Sequence, residues 1–226
     1  MTPQERLLVQ RFSQYVSDHK KEFIQKVLAQ RTRHVTVVLE DIYQSQNASA
    51  VVRTCECMGL QDIHIIENSA TYQVNTRVLK GSNRWMNLIR YHSKEENNTA
   101  MCFRELREQG YTIYAADPSE DGISIHDIDV TNKVAIAFGN ELHGVSDYAL
   151  QESDFKVKIP MFGFTESLNI SVSVAICLNT LITRLRQNFE KYGLSEEEKE
   201  VLTLQWYRKV VRKSDVLERE FLRTIQ

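Results

Sequence analysis

A chain of 226 residues with 42% hydrophobic content, three prolines and eight glycines is long enough to bury one substantial core, which excludes a collagen-like or largely disordered protein. Its opening residues are interrupted by Glu5, Arg6 and Arg11, and no later apolar run reaches the roughly 18 residues of a membrane span, so a cytoplasmic protein is expected. The net charge of -2 hides segregation: residues 1–34 carry seven Lys or Arg against three acids, and residues 117–155 carry nine acids against Lys133 alone.

In chain order, Thr2-Pro3-Gln4-Glu5 combines a capping residue, a proline at the first helical position and a glutamate in capping-box register, predicting a helix over about 2–15. A second helix follows over about 18–30. The β-branched run Val35-Thr36-Val37-Val38-Leu39 predicts a buried strand, and a helix from about Ala48, with Asn47 able to cap it, closes at Gly59. Strands are then expected over 63–66, 111–115, 134–138 and 156–159, with a helix over 95–108 before Gly110. A long apolar helix is predicted over 167–186, and a final helix from Ser195 has Glu198 in capping-box position. Strands alternating with helices of this length argue for a mostly parallel α/β sheet covered by helices on both faces. In the final helix Arg208, Lys209, Arg212 and Lys213 fall on one face at i, i+4 spacing. Two basic ends around an acidic middle fit binding of a polyanion, although any one cluster reads as well as a solvated helix face. Cys55, Cys57, Cys102 and Cys177 form no C-x-x-C pair and read as reduced, mostly buried thiols, with no metal expected.

Ligands of open parallel sheets bind beyond the carboxyl ends of the strands, and three such places stand out. After the first strand, Arg53 sits on a helix of small and apolar residues (Ala48, Ala50, Val51, Val52), where its fork of donors would grip a phosphate or, more plainly, pair with a core acid or lie on an exposed face. After the 134–138 strand, Gly139-Asn140-Glu141-Leu142-His143-Gly144-Val145-Ser146 has the glycine spacing of a phosphate loop. Val145, however, stands where the lysine of such a loop belongs, and taken alone the segment is better read as a strand-to-helix turn capped by Ser146. After the 156–159 strand, Ile159 to Ser173 is a Gly-containing loop opening a helix at Ser167, whose unpaired N–H groups offer an anion site. Ser171 and Ser173 inside that helix suit close packing against a neighbour.

Taken together, Asn47-x-Ser49-Ala50-x-x-Arg53-Thr54, Phe138-Gly139-Asn140-Glu141-x-x-Gly144-Val145-Ser146 and Ile159-Pro160-Met161 through Ser167-Leu168-Asn169-Ile170-Ser171-Val172 resemble the three ordered motifs of the SpoU/TrmH family. Gly81-Ser82-x-x-Trp85 and Arg184-x-Arg186 resemble stretches of its tRNA (guanosine 2'-O) branch. The resemblance covers 35–186 well and the terminal helices more loosely. It implies an α/β SPOUT domain over 34–187 with a C-terminal trefoil knot, a helical RNA-binding extension over 1–33 and a second helical extension over 188–226. It further implies a homodimer that methylates a ribose 2'-hydroxyl of RNA using S-adenosylmethionine. The substrate implied is guanosine 18 in the tRNA D-loop. An rRNA substrate, or a non-catalytic RNA-binding protein of this fold, is the alternative.

By resemblance Arg53 is the central catalytic residue, supported by Asn47, Glu141, Ser167 and Asn169. Ala116, Gly139, Ile159 and Leu168 mark the cofactor loops. A threonine is common in the branch where Ala116 stands, so one side-chain contact is expected to be missing. RNA contacts fall to Arg11, Arg184, Arg186, Arg208, Lys209, Arg212 and Lys213.

Overall fold

The computed structural model describes residues 1–119, 121–189 and 192–224. In chain order these form α1 (Pro3–Ser13), α2 (Asp18–Leu28), β1 (Val35–Glu40), α3 (Ser45–Cys57), β2 (Asp62–Ile66) and the short α4 (Thr76–Leu79). After a 3-10 turn at Ser82–Arg84 come β3 (Asn87–Tyr91), α5 (Asn98–Glu108), β4 (Tyr111–Ala116), β5 (Ile123–Ser124), β6 (Lys133–Phe138), α6 (Asp147–Glu152) and β7 (Phe155–Lys158). Three helices close the sequence: α7 (Ile170–Asn188), α8 (Glu196–Val210) and α9 (Ser214–Thr224). The chain divides into two compact units, Met1–Arg31 with Gly193–Gln226, and Thr32–Tyr192. No helix among the described residues is long and apolar enough to cross a membrane.

The Thr32–Tyr192 unit is built on a seven-stranded sheet of order β3-β2-β1-β6-β4-β7-β5. Every pairing is parallel; Val37, for instance, stands between Ile63 of β2 and Ile136 of β6. Alternation along β1 sends Val35, Val37 and Leu39 into the core shared with α3 and α7, whereas Val38 packs with Phe103 and Leu106 of α5 on the opposite face. Both faces are therefore covered, as a parallel sheet with crossover helices requires. In the other unit α1 and α8 each begin with a complete capping box, Thr2 with Glu5 and Ser195 with Glu198. There α8 packs against α1, α2 and α9, and the Arg31 guanidinium lies 5.5 Å from the centre of the buried Trp206 ring.

Several sequence expectations need correction. Asn47 does not cap α3: the helix starts at Ser45 with Gln44 as its N-cap residue, leaving Asn47 inside the first turn with its amide turned to other partners. The apolar helix starts at Ile170 instead of Ser167, because the Asn169 side chain accepts from the Ser171 N–H (2.9 Å) and Ile170 is the first residue with a core face to bury. Strands β3 and β5 were not anticipated: β3 is half-exposed and carries Asn87 and Arg90, which break an apolar strand signature, and β5 has only two residues. The cationic stripe is not one helix face, since α8 ends at Val210 and Arg212 and Lys213 lie in the turn before the unanticipated α9. Lys213 there adopts φ 55°. Cys55, Cys102 and Cys177 are buried free thiols, whereas Cys57 is exposed; burial pushes Cys177 up to about 12 and raises the other two buried thiols as well.

Candidate active site

Beyond the carboxyl ends of β4, β6 and β7 lies a cavity of about 730 Å³, within the range of small-molecule and cofactor sites. Two loops make its walls. The first leaves β6 and folds back on itself: Asn140 and Gly144 exchange backbone hydrogen bonds of 3.0 Å, and the Asn140 Oδ1 accepts from the Leu142 and His143 N–H groups. Glycine is mandatory at the base of this loop, because a Cβ on Gly139 would lie 1.8 Å from the Gly144 carbonyl oxygen. Gly144 itself takes φ 70°. The second loop runs from Ile159 to Asn169 and delivers Ile159, Met161, Leu168 and Ser167 to the cavity.

The two loops meet on α3 through one polar corner. Asn47, only 8% exposed, donates from Nδ2 to Glu141 Oε1 (2.7 Å) and to Gln44 Oε1 (3.1 Å), while its Oδ1 accepts from Asn169 Nδ2 (3.1 Å). Asn169 Oδ1 meanwhile accepts from the Ser171 N–H and hydroxyl. Both amides are thus oriented by their partners, and three separate segments are tied together at the start of α3.

Eight of the nine residues expected to act in catalysis or hold the cofactor line this cavity: Asn47, Glu141, Ser167 and Asn169, with Ala116, Gly139, Ile159 and Leu168. Arg53 does not. It is exposed on α3, away from the cavity lining, and no hydrogen bond or ion pair holds it among the described residues. Of the expected RNA-binding residues, Arg11 bonds Gln14 and stacks over Tyr15, and Arg186 is exposed. Arg184 is half-buried, with a buried Nη1 that has no partner among the described residues. Arg208 is already neutralised by Glu218 through two hydrogen bonds of 2.6 and 2.8 Å, which raise its pKa. Lys209, Arg212 and Lys213 are exposed.

Sequence reasoning missed Gln44, which lines the cavity and holds Asn47, and the acids Asp117 and Glu166 at the rim. With Glu141, these make three carboxylates against Lys158 as the only Lys or Arg of the lining among the described residues. The lining combines apolar side chains (Val157, Ile159, Leu168) with this acidic rim and with loop backbone. Such a set fits a flat heteroaromatic group bearing a cationic chain, and S-adenosylmethionine, with its adenine, sulfonium and ammonium groups, has that chemistry.

Fold and cavity together define a parallel α/β protein with a ligand site at the strand ends, closed by two loops that interlock on the first crossover helix. The chain belongs to the SpoU rRNA Methylase family, whose model matches residues 34–179. It is 44% identical over 206 residues to the tRNA (guanosine(18)-2'-O)-methyltransferase of Borreliella burgdorferi, an alignment covering 91% of this chain and 92% of that protein. Among solved structures, the A. aeolicus TrmH/SpoU tRNA modifying enzyme superposes with a TM-score of 0.75 at 26% identity, over 92% of this chain and 100% of that one. The SpoU methyltransferase AviRb of Streptomyces viridochromogenes, solved in complex with AdoMet, shares the fold with a TM-score of 0.60 at 21% identity, over 72% of this chain and 65% of that one.

Proposed function

We propose that this chain transfers the methyl group of S-adenosylmethionine to the ribose 2'-hydroxyl of guanosine 18 in tRNA. The observation that carries the reading is the polar corner of Asn47, Glu141 and Asn169 at the edge of the acidic-rimmed cavity. It brings one residue from each of the three motifs into contact. The 44% identical relative that bears this activity in its name supports the choice of tRNA and of guanosine 18.

The bound cofactor supplies a methyl group made electrophilic by its sulfonium. Ala116, Gly139, Ile159 and Leu168 hold it, with the apolar lining taking the adenine and the acidic rim taking the cationic end. Asn47, Glu141 and Asn169 fix the relative positions of the two loops, so that the reacting ribose meets a preorganised surface. Arg53, exposed and without a hydrogen-bond or ion-pair partner among the described residues, grips the phosphate beside that ribose and favours the developing alkoxide. A guanidinium does not release its proton at neutral pH, so Arg53 is no general base; Ser167 or a phosphate oxygen of the RNA relays the 2'-hydroxyl proton.

The same reading extends to the whole molecule. Arg53 completes the pocket of a second copy in a homodimer, a view supported by α7, whose Val172 is 44% exposed opposite the buried stripe of Val174, Cys177, Leu178 and Leu181. In this reading the segment between β7 and α7, the helix that packs on α3, is threaded as a trefoil knot. The helices α1 and α2 near one end and α8 and α9 near the other belong to RNA-binding extensions, and the protein works in the cytoplasm. Calorimetry with S-adenosylmethionine, followed by nucleoside mass spectrometry of unmodified tRNA after incubation, tests the reading. One 2'-O-methylguanosine at position 18 is expected; methylation only of an rRNA substrate, or none despite cofactor binding, overturns it.

A further inference from the structure

The last residue of β1 is Glu40, a carboxylate only 2% exposed. Its Oε1 accepts from the Thr99 hydroxyl at 2.5 Å and the Ser146 hydroxyl at 2.8 Å, and its Oε2 accepts from the Ser146 N–H at 2.8 Å. No Lys or Arg pairs with it among the described residues. Burying an ionised carboxylate without a counter-ion is costly, and only donors aimed at both oxygens offset that cost. A role confined to joining β1 to α5 would need one oxygen and the Thr99 hydroxyl. Two of the three bonds go instead to Ser146, the residue that ends the cavity loop.

We infer that Glu40 is the positioning residue that sets the 139–146 loop against α3 and thereby shapes the cofactor pocket. The loop hangs from two points. One is the end of β6 at Phe138, held in the sheet by its pairing with Leu39. The other is Ser146, clamped through both its N–H and its hydroxyl, while the same hydroxyl oxygen accepts from Ala149 N–H and starts α6. Between these points sits Glu141, whose bond to Asn47 joins the loop to α3, and α3 is entered from β1 only a few residues after Glu40. Both sides of the Asn47–Glu141 contact are therefore referenced to one buried carboxylate. The inference rests on the methyltransferase reading for the identity of the ligand, but not for the effect on the loop.

The test compares Glu40→Gln, Ser146→Ala and their combination with Thr99→Val, which removes the third donor from the same carboxylate without touching the loop. Hydrogen exchange is followed at residues 139–146 in the ligand-free full chain, and S-adenosylmethionine affinity is measured by calorimetry. Glu40→Gln should speed loop exchange and weaken cofactor binding by about tenfold, the scale of one lost charge-assisted hydrogen bond. Ser146→Ala should weaken it less, and the double variant should be no worse than Glu40→Gln alone, because both act through one clamp. Thr99→Val should lower the melting temperature yet leave cofactor affinity within about twofold. The inference is overturned if Glu40→Gln leaves loop exchange unchanged, if its effect adds fully to that of Ser146→Ala, or if Thr99→Val weakens the cofactor as much. Should Glu40→Gln fail to fold, Ser146→Ala decides: unchanged loop exchange refutes the clamp, and faster exchange upholds it. A wild-type chain that binds no S-adenosylmethionine would defeat the methyltransferase reading while leaving the exchange comparison intact.

Discussion

Asn47 and Arg53 stand six residues apart on α3, and their surroundings are opposite. Asn47 is buried and holds Gln44, Glu141 and Asn169, whereas Arg53 is exposed and holds no partner among the described residues. Six helical steps turn a side chain by about 240°, so the two cannot serve one cavity from the same helix. A finished polar corner spends its hydrogen-bonding capacity on shape, while a guanidinium with no partner among the described residues keeps its capacity open. Within α3 the Asn47 end is committed to the fold, and the Arg53 position is not.

The largest expected effect breaks this comparison at its open end. Arg53→Ala should lower kcat at least about 100-fold, as removal of a single transition-state donor does, while S-adenosylmethionine affinity measured by calorimetry stays within about twofold. If Arg53 completes the pocket of a partner copy, mixing Arg53→Ala with Asn47→Ala should restore about a quarter of wild-type activity, because half the dimers are mixed and each has one intact site. A mixture as inactive as its components would mean that Arg53 and Asn47 of one chain serve the same site and would contradict the composite arrangement.

A smaller effect separates a paired from two exposed cations near the carboxyl end. Arg208 is bound to Glu218, whereas Arg212 and Lys213 are exposed. Replacing Arg212 and Lys213 with glutamine should weaken RNA binding and flatten the slope of log affinity against log salt by roughly 0.7–0.9 per lost phosphate contact. Arg208→Gln should leave that slope nearly unchanged and instead loosen the packing of α9 on α8. Filter binding across a salt series reads both, and equal slopes for all variants would identify a solvated face.

Much of this was legible in the sequence, for reasons that differ by residue. The parallel sheet follows from β-branched runs alternating with helices, and the capping boxes at Thr2 and Ser195 are local chemistry that any fold preserves. Strand β3 escaped because an edge strand exposes one side and tolerates Arg90, which pairs with Glu67 in a contact distant in sequence. Asn47 was legible as a polar residue at a helix start, but its partners Glu141 and Asn169 lie 94 and 122 residues away, and no periodicity reports such a meeting. The four-cation stripe misled because spacing alone does not reveal that α8 stops at Val210. Gln44 and Glu40 went unread because a lone glutamine in a turn, or an acid ending a strand, is ordinary until its neighbours are known.

A third polar chain sharpens the opening comparison, because it is as fully interlocked as the Asn47 corner yet joins β2 and β3 to α5, away from the cavity lining. Tyr91 donates its hydroxyl hydrogen to Glu105 Oε2 (2.8 Å), so its oxygen accepts from His64 Nδ1 at 3.0 Å, which fixes the Nδ1–H tautomer of a ring only 1% exposed. Burial pushes His64 from 6.5 down to about 4, opposed in part by Asp62 and Glu105, so the folded protein keeps this histidine neutral where an unfolded chain would protonate it. The sign follows: unfolding takes up a proton between those values. The contribution is fully present above pH 6.5, declines as pH falls, and levels off below about pH 4 after a loss on the order of 3 kcal/mol. Carboxylates titrate in part of the same window, so the diagnostic quantity is the difference between wild type and His64→Asn, whose amide still donates to Tyr91 but does not titrate. Urea unfolding from pH 7 to pH 4 should show the wild type losing stability more steeply than the variant, with no difference in S-adenosylmethionine affinity at pH 7. Parallel curves would mean that His64 titrates in the fold as it does in the unfolded chain. A variant that lost cofactor affinity at neutral pH would show instead that this buried chain is coupled to the cavity.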